Sequence, residues 1–279
     1  MNGKICIVTG SNIGIGKITA IELAKMGGHV VMICRDKSRG ESAQAEIKKK
    51  SGNEKVDLLL ADFSSQESIR RVAEEFNQKY DRLDVLVNNA GAIFGERKLT
   101  VDGIETTFAV NHLGYFLLTN LLLDKLKASA PSRIVNVASR AHMRTTMNFD
   151  DLYGEKDFQS FRAYAQSKLA NVMFTYELAE RLEGMGVTVN CLHPGVVATG
   201  FGRGGTKFFQ FLFKLGAPLL TSPKKGAETS VFLASSPEME DVSGKYFVNK
   251  RVQKSSDASC DREAWKRLWN LSEKLTGMA

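Results

Sequence analysis

Apolar positions along the chain fall into two alternating patterns. Short runs rich in β-branched residues read as strands: Lys4–Thr9, His29–Cys34, Lys55–Leu60, Leu83–Val87, Arg133–Val137, Val187–Leu192 and, as the final strand, Ser243–Phe247. Between them, apolar residues recur at helical spacing over Lys17–Met26, Ser42–Lys50, Ser64–Lys79, Thr107–Lys127, the segment around Tyr164–Met173, and Pro223–Ala234. A further helix over Ala264–Leu275 carries a buried stripe of Trp265, Leu268 and Trp269. Strands that alternate with helices predict the α/β class, with a mostly parallel sheet covered by helices on both faces. No repeat, low-complexity segment or linker divides the chain, so residues 1–279 are expected to form a single domain.

Composition supports that picture and removes some functions. A chain of 279 residues that is 43% hydrophobic can bury a full core. Its net charge of +7 would suit nucleic acid, but the basic residues are spread over helices and interleaved with acids. Lys48-Lys49-Lys50 is the one basic run, and a solvated helix end accounts for it, so no nucleic-acid partner is expected. The same field suits an anionic cofactor or an acidic membrane surface. The apolar run Ile5–Val8 is too short to span a bilayer, and nothing at the N-terminus resembles a signal peptide. Cys6, Cys34, Cys191 and Cys260 show no metal-ligand or CxxC spacing, so they are expected to be buried reduced thiols in a cytoplasmic protein with no metal site. The triplet Asn270-Leu271-Ser272 matches a glycosylation sequon, a pattern common by chance.

Candidate chemistry begins at the first strand. It runs into Thr9-Gly10-Ser11-Asn12-Ile13-Gly14-Ile15-Gly16 and then a helix, the context in which a glycine turn brings backbone close to a pyrophosphate. The helix N-terminus adds unpaired N–H groups and a partial positive charge. This makes the expected fold Rossmann-type and doubly wound. At the tip of the second strand Cys34 precedes Arg35, where an acidic residue would bind the ribose 2′-hydroxyl of NAD and an arginine pairs with a 2′-phosphate. NADP(H) is therefore expected, with Lys17 as a second cation; the alternative is a solvated Arg35 paired with Asp36. Asp62 either accepts a hydrogen bond from adenine or caps the helix near Ser64. Asn89, Ala90 and Gly91 end the fourth strand with small and amide groups suited to a crevice wall.

Tyr164 and Lys168 stand four apart on a helix, so phenol and ammonium share a face. A cation beside a phenol favours the phenolate and moves it toward the range of a useful acid/base. His112, His142 and His193 lack partner carboxylates in the pattern and read as packed residues.

TGxxxGIG at 9–16, NNAG at 88–91, Ser139 after a strand, YxxxK at 164–168 and Pro194-Gly195 occur in an order and spacing that resemble the short-chain dehydrogenase/reductases. Phrases such as Cys34-Arg35-Asp36, Val110-Asn111-His112-Leu113-Gly114 and Ser167-Lys168-Leu169-Ala170-Asn171 are similar to the retinol-dehydrogenase-like branch, as is the polar insertion Arg144–Gln159. The resemblance implies hydride transfer between NADP(H) and a carbonyl or alcohol of a small apolar substrate, retinal/retinol-like or a lipid aldehyde. Alternatives are a steroid or quinone reductase and a non-catalytic NADP-binding regulatory protein. It further implies that Asn111 bends its helix and holds a relay water, and that Ser139 polarises the substrate carbonyl. Tyr164 would be the acid/base, with Lys168 binding the nicotinamide ribose and lowering the tyrosine's pKa. Pro194, Gly195, Val197 and Thr199 would lie along the nicotinamide and diphosphate. Relatives pair through the helices carrying Asn111 and Tyr164, so a homodimer is the expectation by analogy. The aromatic segment Phe201–Leu220, opened by Gly202, Gly204 and Gly205, reads as a substrate lid, a peripheral membrane contact or a packing element.

Overall fold

The computed structural model describes residues 1–195 and 221–279. The strands are β1 (Ile5–Thr9), β2 (His29–Cys34), β3 (Val56–Leu60), β4 (Val85–Asn88), β5 (Ser132–Val137), β6 (Val187–His193), β7 (Lys245–Val248) and β8 (Arg251–Val252). They form one sheet in the order β3-β2-β1-β4-β5-β6-β7-β8. Neighbours from β3 through β7 pair in parallel, and β8 returns antiparallel on β7. The helices are α1 (Gly14–Lys25), α2 (Lys37–Ser51), α3 (Gln66–Lys79), a single turn α4 (Thr106–Phe108), α5 (Gly114–Leu121), α6 (Leu123–Ala128), α7 (Ser160–Arg181), α8 (Pro223–Ser235) and α9 (Arg262–Thr276).

Because successive side chains on a strand face opposite ways, each strand feeds two cores. Ile7, Val31, Ile33, Leu86, Ile134 and Val189 meet Phe76 of α3, Phe116 of α5 and Phe174 of α7 on one face. Cys6, Val8, Val30, Met32, Val87 and Val135 meet Ala20 and Ile21 of α1, Ile47 of α2 and Leu233 of α8 on the other. The doubly wound sheet expected from the alternation is therefore present as a single-domain fold. Chain order reverses between β1 and β4, which opens a crevice at the carboxyl ends of those strands.

Three expectations are corrected. The Thr107–Lys127 run is not one helix: after α4 it passes through a π-helical turn, Ala109–Leu113, then α5, and a further break at Leu122 separates α6. The strand expected to be last is followed by β8, across a two-residue turn in which Asn249 and Lys250 both have positive φ, 52° and 62°. That turn geometry suits a tight hairpin. Cys6, Cys34 and Cys191 are buried, but Cys260 is exposed, because it sits at the end of a short 3-10 turn before α9.

α9, read only as a tail helix, lies over α5 and α7. Trp269 meets Phe116 edge-on at 5.0 Å and stacks on Phe174 at 5.9 Å, with the Arg181 guanidinium 4.0 Å from its ring centre. Trp269 thus joins the core cluster that Phe116 and Phe174 form with the sheet. Among the described residues no helix is long and apolar enough to cross a membrane.

Candidate active site in the crevice

The end of β1 is laced to the end of β4. Thr9 Oγ1 accepts hydrogen bonds from the amides of Asn89 and Ala90, both at 2.9 Å, and Asn89 Nδ2 donates to the Thr9 carbonyl at 2.8 Å. This packing leaves no room for a side chain at Gly10 or Gly16. A Cβ at Gly10, whose φ is +65°, would stand 2.9 Å from Ala90 Cα, and one at Gly16 would stand 2.4 Å from Asn89 Nδ2 and 2.5 Å from the Gly10 carbonyl. Ile13 occupies the N-cap of α1 without a side-chain cap, and the first turn carries no acid. The leading N–H groups of α1 are thereby left for an external acceptor, and the field there favours an anion. Gly10 to Gly16 thus fit a dinucleotide diphosphate.

At the tips of β2 and β3 the charged side chains pair with one another. Arg35 has a side chain 72% exposed, with Nη1 4.0 Å from Asp62 Oδ2, so its partner is Asp62 and not Asp36. Asp36 instead caps α2, accepting from the Arg39 amide at 2.9 Å. Asp62 Oδ1 accepts from the Ser64 amide at 2.9 Å and the Ser64 hydroxyl at 2.7 Å, which orders the turn before α3, while the N-cap itself is Ser65. Lys17 is not a free cation: its ammonium donates to Glu46 Oε2 at 2.7 Å, and Glu46 also takes Lys50 at 2.7 Å. Hydrogen bonds from these two lysines hold the Glu46 carboxyl below its usual range. Ser11 is fully buried, its hydroxyl 3.6 Å from Cys34 Sγ.

The reactive residues converge one step further along the crevice wall. A Cβ at Gly91 would lie 3.1 Å from Asn111 Oδ1 and 3.5 Å from Lys168 Nζ, which places wall, π-turn and α7 together. Lys168 Nζ donates to the Val137 carbonyl at 2.8 Å and stands over the rings of Tyr115 and Tyr164, 5.5 and 5.9 Å from their centres. Tyr164 is hydrogen-bonded to the side chain of Ser139. Ser139 ends the segment after β5 in extended conformation, and its hydroxyl accepts from the Ala141 amide at 3.2 Å. Sequence reasoning missed Tyr115, Ser167 and Asn171; the last two lie at helical spacing from Tyr164 and Lys168 on α7, which was the available signal.

Burial is the largest influence on both the phenol and the ammonium. Burial pushes the Tyr164 phenol up to about 12, with the Ser139 hydrogen bond pulling the other way. Burial pushes the Lys168 ammonium down to about 7. Loss of hydration disfavours each charged form, and it is the larger effect at both.

Asn111 ties three segments. Its Oδ1 accepts from the Ala92 amide at 2.8 Å, and its Nδ2 donates to the Ala92 carbonyl at 2.9 Å and Ser167 Oγ at 3.0 Å. At the far end, Gly195 follows Pro194 with φ +90°, and its Cβ would meet Thr221 Oγ1 at 3.0 Å. Val197, Thr199 and the Phe201–Leu220 segment lie outside the described residues. His193 accepts from the Arg140 amide at 3.2 Å, and burial pushes it down to about 4. His142 Nδ1 donates to the Ser139 carbonyl at 2.6 Å, with Nε2 accepting from the Ser256 amide at 3.2 Å. Both read as packed, neutral residues.

A parallel sheet with a glycine-lined crevice, and a phenol, hydroxyl and ammonium gathered at its mouth, define a nucleotide-binding oxidoreductase. The family model for short chain dehydrogenase matches residues 4–207, and the chain belongs to the short-chain dehydrogenase/reductase family. It falls in the retinol-dehydrogenase-like branch. It is 46% identical over 282 residues to retinol dehydrogenase 13 of Homo sapiens, covering 99% of this chain and 85% of that protein. To retinol dehydrogenase 12 of Mus musculus it is 46% identical over 277 residues, covering 99% and 87%. Among solved structures, an uncharacterized protein from Mycobacterium paratuberculosis superposes with a TM-score of 0.80 at 32% identity, covering 99% of this chain and 94% of the other. The Pseudomonas aeruginosa RhlG/NADP active-site complex superposes at 0.71 with 26% identity, covering 88% and 94%. The chain is accordingly an oxidoreductase acting on CH–OH or C=O groups of a small molecule with a nicotinamide cofactor.

Proposed function

We propose that the chain is an NADP(H)-dependent enzyme that interconverts the carbonyl and alcohol forms of an apolar substrate of the retinal/retinol or lipid-aldehyde kind, with Tyr164 as acid/base. The observation that carries this reading is the meeting of Tyr164, Ser139 and Lys168 beside the crevice wall at Gly91. Relatives named retinol dehydrogenase support the substrate class. Arg35, and the NADP in the name of one structural neighbour, support the cofactor.

When bound, the nicotinamide supplies or accepts the hydride. The protein's share follows from its own groups. Gly10, Ser11, Asn12, Ile13, Gly14, Ile15 and Gly16 hold the diphosphate through the backbone and the start of α1. Arg35 meets the 2′-phosphate, Asp62 lies at the adenosine end, and Asn89, Ala90 and Gly91 form the wall. Pro194 and Gly195 lie on the nicotinamide side. Lys17 bears on the 2′-phosphate end only indirectly, its ammonium being held by Glu46.

In the reducing direction, Ser139 and Tyr164 donate hydrogen bonds to the carbonyl oxygen, where charge builds as the carbon is reduced. A phenol held up to about 12 is protonated at neutral pH and can hand its proton to that oxygen. The Lys168 ammonium beside the ring then faces the phenolate left behind, and this attraction offsets the burial that raises the phenol. Asn111 holds the wall at Ala92 against α7 at Ser167, which keeps Lys168 and the crevice in register.

The test is an NADPH-oxidation screen against retinal, medium-chain aldehydes, steroids and quinones, with NADH alongside. Turnover of retinal or aldehydes with NADPH is expected. Preference for NADH would overturn the assignment of Arg35, and exclusive turnover of steroids or quinones would overturn the substrate class.

A further inference from the structure

A π-helical turn inserts an extra residue into the hydrogen-bond ladder, so a carbonyl there needs a partner from elsewhere. At Asn111 that partner is a side chain: Asn171 Nδ2, from α7, donates to the Asn111 carbonyl at 2.9 Å. With its amide so turned, Asn171 presents Oδ1 to His112 Nδ1 at 3.4 Å, and His112 Nε2 lies 2.9 Å from Ser272 Oγ on α9. Asn171, His112 and Ser272 are all fully buried, so each of these polar groups depends on the others for satisfaction. With His112 Nδ1 donating to Asn171, Nε2 takes the single Ser272 hydroxyl proton, and the Leu268 carbonyl one turn back on α9, 2.7 Å from the same oxygen, is a competing acceptor.

His112 is held among Phe108, Phe116 and Phe174, at ring distances of 5.0, 6.4 and 6.1 Å. It acts as a neutral spacer, because burial pushes it down to about 3. The chain of contacts therefore runs from the C-terminal helix, through an imidazole that does not titrate near neutrality, to the main chain of the residue that fixes Ala92 and Ser167.

We propose that Asn171 is a positioning residue of the active site: it sets the π-turn carbonyl of Asn111, and Ser272 on α9 holds the far end of the same line through His112. The proposal rests on the catalytic reading above only for its effect on turnover. Displacing the Asn111 backbone shifts the side chain that ties the crevice wall to Ser167, next to Lys168. The C-terminal helix thereby becomes part of the site's scaffold.

The test uses the full chain with Asn171→Leu, which keeps bulk and removes both polar groups, and Ser272→Ala, which removes the distal contact alone. Amide hydrogen exchange on the substrate-free protein reports the placement directly. Peptides covering 106–121 and 89–98 are expected to exchange at least about tenfold faster in Asn171→Leu and a few-fold faster in Ser272→Ala, with peptides of β1 to β3 unchanged. With NADPH, kcat is expected to fall about tenfold or more in Asn171→Leu while the cofactor KM stays within about threefold. Exchange that is unchanged at 106–121, or raised evenly through the chain, would overturn the proposal, as would an unaltered kcat. If Asn171→Leu fails to fold, the same criteria apply to Ser272→Ala. A wild type without turnover would strike the assigned reaction, and the exchange pattern would still decide the role of Asn171.

Discussion

Removing the Arg35 guanidinium tests the cofactor assignment at the one point where NADP and NAD differ. A charge-assisted hydrogen bond contributes about 1.5–3 kcal/mol when well formed. Arg35 is 72% exposed and already faces Asp62 Oδ2 at 4.0 Å, so solvent and a competing carboxylate both reduce its hold on an added phosphate. The lower end of the range, about 1.5 kcal/mol, corresponds to roughly a tenfold loss of affinity. Lys17 does not make up the difference, because Glu46 holds its ammonium at 2.7 Å. Arg35→Ser is therefore expected to raise the NADPH dissociation constant about tenfold and to leave NADH nearly unchanged. The wild-type preference should also weaken at high salt, since the pair is exposed. Fluorescence titration of both cofactors at low and high ionic strength checks this. Equal weakening of NADPH and NADH, or no change in either, would refute the reasoning that the tip of β2 reads a 2′-phosphate.

Gly16→Ala should be costly, because its Cβ would stand 2.4 Å from Asn89 Nδ2 and 2.5 Å from the Gly10 carbonyl, and backbone cannot step aside cheaply. A loss of about 1–3 kcal/mol in denaturant unfolding, with weakened cofactor binding, is expected. Acid should destabilise the fold below pH 6.5, because burial holds His112 down to about 3 and His193 down to about 4, so the unfolded chain takes up protons that the native state refuses. Each contributes a fall of up to about 1.4 kcal/mol per pH unit through that window, and stability above pH 6.5 keeps the full contribution. His193→Gln should make the urea midpoint flatter between pH 6.5 and 4.5; an unchanged slope would contradict a buried neutral imidazole. Trp269→Ala removes a side chain 6% exposed between Phe116 and Phe174, and should cost about 3–5 kcal/mol in the same unfolding assay.

The alternation of strands and helices was legible because buried parallel strands and the helices on them leave distinct periods in the chain. His29–Cys34 was bounded as observed. What escaped depends on partners distant in sequence. The π-turn sits in an unbroken apolar run with no proline or cap to mark it, and the Asn111 carbonyl within it is met by Asn171, on another helix. β8 is two residues long and follows a turn in which Asn249 and Lys250 adopt positive φ, a conformation not marked by glycine. Lys17 looked like a free cation because Glu46 is 29 positions away. The candidate site was legible as a set of motifs, whereas its electrostatic balance was not. Sequence spacing shows that a phenol and an ammonium share a helix face, but not how strongly burial disfavours the charged form of each.

The most direct measurement is single-turnover NADPH oxidation with a carbonyl substrate by wild type and Tyr164→Phe, with cofactor affinity determined in parallel. The substitution keeps the ring over which Lys168 Nζ stands and removes only the hydroxyl paired with Ser139. NADPH binding is expected within about threefold of wild type, with a rate lower by at least the ~10²–10⁴-fold typical of a lost general acid. A phenylalanine variant that reduces the substrate at the wild-type rate would contradict this.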